Sequence, residues 1–78
     1  MLPRKGMIVR YTTPGGVEYD RHVLRVTAGR VVFSRRKVGD SIAAGSTQGV
    51  TVQAWDIWFR RQDNPTIVRE GQDGVQPT

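Results

Sequence analysis

Seventy-eight residues, 37% of them hydrophobic and none of them Cys, allow one domain with a lean core and exclude disulfides and thiolate-bound zinc as aids to packing. Twelve Lys and Arg against seven Asp and Glu leave a net charge of +5, which suits a polyanionic partner without requiring one. No apolar stretch approaches the ~18 residues of a membrane span, and the start does not read as a secretory signal, so no membrane association and a cytoplasmic location are expected.

Taken in order, residues 2–6 (LPRKG) form a lead-in to Met7-Ile8-Val9-Arg10-Tyr11, a β-branched and aromatic run that predicts a first strand. Thr13-Pro14-Gly15-Gly16 follows, with Pro and Gly placed as in a type II turn, which puts the positive φ at Gly15. Residues 17–28 and 30–38 flank Gly29, and their clustered β-branched residues predict two antiparallel strands around a short turn. Residues 39–49 are small, polar and glycine-punctuated, which predicts a mobile surface connection. Residues 50–55 alternate and predict a return to the sheet. Trp55, Trp58 and Phe59 then fall at helical spacing, which predicts a single helical turn. Asn64-Pro65 interrupts regular structure, and the polar stretch 69–78 predicts a disordered tail behind a folded unit of residues 1–68.

These elements predict an all-β fold: a small, strongly bent antiparallel barrel of four to five strands, Src-homology-3-like, with one helical turn before the last strand. A chain this short is not expected to split into two full sheets. Phe33, Leu24, Val52 and one of the two Trp are expected in its core.

Chemistry-bearing constellations are sparse. His22, the sole histidine, shares a strand face with Asp20, yet no third ligand or nucleophile accompanies the pair, so a surface or half-buried role is expected and no metal site. No serine stands in a nucleophile elbow, and neither Gly-rich stretch carries the lysine and helix of a phosphate loop. No catalytic residue and no cofactor are expected, and the protein is read as a non-enzyme.

Arginine carries the strongest signal, supplying ten of the twelve cations. Arg21 and Arg25 on one predicted strand, with Arg35, Arg36 and Lys37 on the next, form a basic ribbon to which Arg60 and Arg61 add charge. Of these, Arg21, Arg25, Arg35 and Lys37 are expected on one side of the pleat, spaced to meet a phosphate backbone. Tyr11, Tyr19 and Trp58 are the rings available for base stacking. The competing reading is a solvated face neutralised by Glu18, Asp20 and Asp40.

The order Gly6, Tyr11, Gly16, the hairpin segment Arg30-Val31-Val32-Phe33-Ser34-Arg35, and the closing Trp55-Asp56-Ile57-Trp58-Phe59-Arg60 resembles short proteins of bacteriophages and prophages. The resemblance spans roughly residues 5–61 and implies an accessory or regulatory protein of a bacterial host's cytoplasm, with no catalytic residue carried over. The expected function is binding of nucleic-acid backbone (DNA or RNA) through Arg21, Arg25, Arg35, Arg36, Lys37, Arg60, Arg61 and Trp58. The alternative is a protein-interaction module, such as an inhibitor or adaptor of a host protein, and a structural subunit of a homo-oligomer is a third reading.

Overall fold

A computed structural model describes residues 2–40 and 45–71. Its strands are β1 (Ile8–Thr12), β2 (Glu18–Thr27), β3 (Arg30–Lys37), β4 (Ser46–Thr51) and β5 (Thr66–Arg69), and one helix, α1 (Val52–Arg60), lies between β4 and β5. Every strand pair is antiparallel, and the sheet runs β4-β3-β2-β1-β5, with β4 and β5 as its edges. The fold is therefore mainly β with one short helix, as expected. None of the described helices is long and apolar enough to cross a membrane.

The two hairpins show how local chemistry sets the register. Between β1 and β2 the Gly16 N–H donates to the Thr13 carbonyl at 2.8 Å, and Gly16 itself takes φ 85°, which lets the Thr13 N–H reach the Val17 carbonyl at 2.9 Å. This is a three-residue connection whose last residue is left-handed. The positive φ thus falls at Gly16 and not at Gly15, one residue beyond the sequence expectation. Between β2 and β3 the connection is Ala28-Gly29, at φ 52° and 76°, closed by the Thr27–Arg30 pair. Positive φ at both central residues marks a type I′ turn, whose twist matches that of the flanking strands.

Residues 46–49, expected in a mobile connection, instead belong to β4, whose pairing with β3 runs from Ser46 opposite Arg35 to Thr51 opposite Arg30. The reason is tertiary: the polar STQG stretch has little strand propensity of its own but finds a complete hydrogen-bonding partner in β3. Residues 41–44 of that expected loop and residues 72–78 of the expected tail lie outside the described residues, whereas Arg69, expected as the first tail residue, ends β5 opposite Ile8. Residues 52–55, expected to continue the strand, begin a nine-residue helix rather than a single turn. Thr51 caps it, its hydroxyl accepting from the Ala54 N–H at 3.0 Å, while the Val52 N–H donates to the Gly29 carbonyl at 2.8 Å. The helix ends at Arg61, and Asn64, at φ 50°, turns the chain into Pro65 and β5.

One face of the sheet and the inner side of α1 enclose the core of Met7, Val9, Val23, Val31, Phe33 and Trp55, with Val50, Val52, Trp58, Phe59 and Ile67 packed around it. Trp55 is the fully buried tryptophan and meets Phe33 edge-on at 5.4 Å. Phe33 is core as expected and Val52 packs against it, but Leu24 is 39% exposed. Alternation explains Leu24: it follows the core-facing Val23 and so points to the other face, where the register shift between Val23 and Arg25 also leaves it without a cross-strand partner.

The left-handed Ala28 sets up a stability test. A Cβ-bearing residue other than Asn or Asp costs roughly 1 kcal/mol in this conformation, so Ala28→Asn, which creates the preferred Asn-Gly pair, is expected to stabilise by about 0.5–1 kcal/mol. Urea unfolding should show a higher midpoint at unchanged slope.

Candidate anion and aromatic site

The register of β2 decides which cations share a face. Arg21 stands opposite Arg35, and Tyr19 opposite Lys37, on the same side as the core residues Val23 and Phe33. On β1 the neighbours of Arg21 and Tyr19 are Val9 and Tyr11. This side of the sheet therefore carries the core toward the β2–β3 turn and a cluster of cations and rings toward the other end.

Arg25 does not join them. The bulge at Leu24 places Arg25 opposite Val32, whereas Arg21 is opposite Arg35, and the odd spacing between Val32 and Arg35 puts them on opposite faces of β3. Arg36 also faces away, opposite Asp20, and donates to the Asp40 carbonyl at 3.2 Å. Arg60 is held by Asp56, one helical turn earlier, at 3.1 Å, and Arg61 is the exposed helix C-cap. Of the seven cations expected to act together, the structure thus gathers Arg21, Arg35 and Lys37, and sends Arg25 and Arg36 to the reverse face.

Arg21 is the centre of the cluster. Its guanidinium carbon lies 3.7 Å from the Trp58 ring centre and 4.3 Å from that of Phe33, with Trp55 at 5.6 Å and Tyr11 at 5.7 Å. A guanidinium over the face of a ring is attracted by its quadrupole, and more so when desolvated. The rings are arranged to provide this: Trp58 meets Tyr11 edge-on at 4.9 Å and lies tilted against Trp55 at 5.1 Å. Trp58, expected as a contact residue, is half-buried and serves as a platform for Arg21.

The rings satisfy the guanidinium's faces but not its Nε–H, which lies in its plane. Arg21 Nε is buried with no hydrogen-bond partner, and among the described residues neither Arg21 nor Arg35 forms an ion pair. Burial lowers the Arg21 pKa, as does the neighbouring Arg35 charge, while the Tyr11 hydroxyl opposes the shift. Arg35 lies 4.7 Å above the Tyr19 ring, and Tyr19 is stacked on Tyr11 at 6.1 Å between centres and 25° between planes. Tyr11, Tyr19 and Arg35 thus form one continuous stack beside Arg21.

The reverse face solves its electrostatics differently. Asp20, 4% exposed, accepts two hydrogen bonds from Arg10, at 2.9 Å from Nε and 3.2 Å from Nη2. This fork geometry raises the Arg10 pKa, chiefly through the hydrogen bond and then through the Asp20 charge. Asp20 and His22 share this face as expected and border a concavity of about 460 Å³ with Ser34, Arg36 and Arg69. Among the described residues no three metal-ligating side chains come together. The Arg10–Asp20 pair was not among the sequence-level candidates, although its cross-strand position follows once the β1–β2 turn is placed.

Compared with known proteins, the chain matches no family model, no curated protein and no solved structure.

The two faces predict opposite responses to loss of charge. Replacing Arg21 by Met keeps an unbranched side chain among the rings and removes a buried charge that has no counter-ion, so stability is expected to hold within about 1 kcal/mol or to rise. Asp20→Leu leaves Arg10 without its acceptor and is expected to lower stability. Paired urea titrations of the two variants check the contrast.

Proposed function

We propose that this protein is a non-enzymatic, Src-homology-3-like small barrel that binds nucleic-acid backbone through Arg21, Arg35 and Lys37. The observation that carries the reading is the Arg21–Arg35 pair, two arginines opposite each other in the β2–β3 register with no carboxylate paired to either among the described residues. Like charges in that position destabilise a sheet. An anion placed between them converts the repulsion into a bidentate clamp, for which guanidinium is well shaped. The Src-homology-3-like assignment draws on the meander strand order and on the helix between the last two strands, while β4 and β5 are not paired with each other among the described residues. A phage accessory role rests on the sequence resemblance.

Phosphodiesters fit this face better than a lone small anion, because Lys37 extends the charge beyond the arginine pair along β3. The proposed contact does not read bases directly: α1, the one helix among the described residues, presents no row of donors suited to a major groove, and contacts to phosphate position a protein without specifying sequence. Arg25 and Arg36, on the other face, lie outside the proposed contact. The alternative of a protein-interaction module draws on one observation, the outer edge of β4, which pairs with β3 alone among the described residues and offers a strand-addition site.

Anisotropy titrations of a labelled oligonucleotide at several salt concentrations test the proposal. With three phosphates engaged, the log–log salt slope is expected between about −2 and −3. Arg35→Gln and Lys37→Gln should each weaken binding and make the slope shallower by nearly one, whereas Arg25→Gln should leave both unchanged. Absence of binding at low salt, or an equal loss with Arg25→Gln, would overturn the assignment.

A further inference from the structure

Resting on the backbone-binding reading, we infer that the preferred ligand is a single strand, with a base stacking on the exposed Arg35 end of the Tyr19–Arg35 stack while its phosphates meet Arg21, Arg35 and Lys37. The first ground is the interleaving of rings and cations on one face. Tyr19 lies directly opposite Lys37 and beneath Arg35, so a stacking surface and two phosphate donors occupy neighbouring pleat positions. A base laid over the Arg35 guanidinium plane lengthens an existing stack, a contact open to all four bases. A duplex keeps its base faces against one another and has nothing to offer this array.

The second ground is width. The cations stand on two adjacent strands, about 5 Å apart, and the bulge at Leu24 withdraws Arg25 from the same face. Duplex DNA carries its two backbones across grooves about 6 and 12 Å wide, so a cluster of this width reaches one backbone only. The third ground is depth. Arg21 is half-buried, seated between β2 and α1 with its guanidinium carbon 3.7 Å from the Trp58 ring centre. A flexible strand can bend a phosphate inward to that position, whereas the surface of a stiff duplex stands off from a recessed donor.

The full chain is titrated at low salt with labelled oligothymidylate of about 16 nucleotides and with a hairpin-closed duplex of the same length. The single strand is expected to bind at least about tenfold more tightly. Tyr19→Leu should weaken single-strand binding about tenfold and duplex binding less than twofold, and Tyr19→Phe should retain the wild-type preference. A duplex bound as tightly as the single strand, or a Tyr19→Leu loss shared equally by both ligands, overturns the single-strand inference and leaves the backbone reading in place. Binding to neither ligand overturns both. Should circular dichroism show Tyr19→Leu unfolded, the wild-type ratio of the two affinities decides the question.

Discussion

The pairing of β2 with β3 is the constraint from which the other features follow. It fixes the Arg21–Arg35 and Tyr19–Lys37 neighbours, sets Phe33 beside Val23 in the core, and through its bulge reverses the facing of everything beyond Leu24. A one-residue slip in a period-two element moves every side chain to the opposite face. Without the bulge, Arg25 would stand on the core side, over Val31 and Phe33. The extra residue allows a ten-residue strand to carry a cationic end, a buried middle and an exposed tip without driving an arginine into the apolar centre.

The two faces near Arg21 and Asp20 hold charge in opposite ways. On the reverse face Asp20 is deeply buried but receives a two-point hydrogen bond from Arg10, so its desolvation is compensated within the protein. On the core-bearing face Arg21 is surrounded by four rings and faces another arginine. Rings stabilise a cation through their quadrupoles, yet they accept no hydrogen bond in the guanidinium plane, and a buried donor left unmade is costly. Folding therefore leaves one enclosed donor unmade at Nε, with the exposed charges of Arg35 and Lys37 beside it on the same face.

Much of this organisation was legible in the residues. The β-branched runs around Gly15-Gly16 and Gly29 marked the first three strands, and the spacing of Trp55, Trp58 and Phe59 marked the helix. What escaped was the non-local part. Nothing in Val23-Leu24-Arg25 announces a bulge, because the irregularity is a property of the pairing with β3 and not of either strand alone. Likewise Ser46-Thr47-Gln48-Gly49 reads as loop until β3 supplies its partner, and Val52 reads as strand until Thr51 caps a helix that seats Trp55 against Phe33. The candidate site was half visible for the same reason: residue type identified the arginines, but register alone separates Arg21, Arg35 and Lys37 from Arg25 and Arg36.

In so small a chain the site and the core share residues, and this couples binding to stability. Phe33 belongs to the core and Trp58 packs against it, yet these same rings form the platform for Arg21. Under the proposed function, a ligand that draws Arg21 and Arg35 together would act on side chains that also hold α1 to the sheet, and bound phosphate would stabilise the folded state by mass action. The reverse also holds: a substitution at Trp58 or Phe33 weakens binding through loss of packing alone, and affinity by itself cannot distinguish the two causes. The salt slope can, since it counts displaced counter-ions and is insensitive to a uniform loss of folded protein. Charge and packing at this face are separable by that measurement because only Arg21, Arg35 and Lys37 carry the first, whereas the rings carry the second.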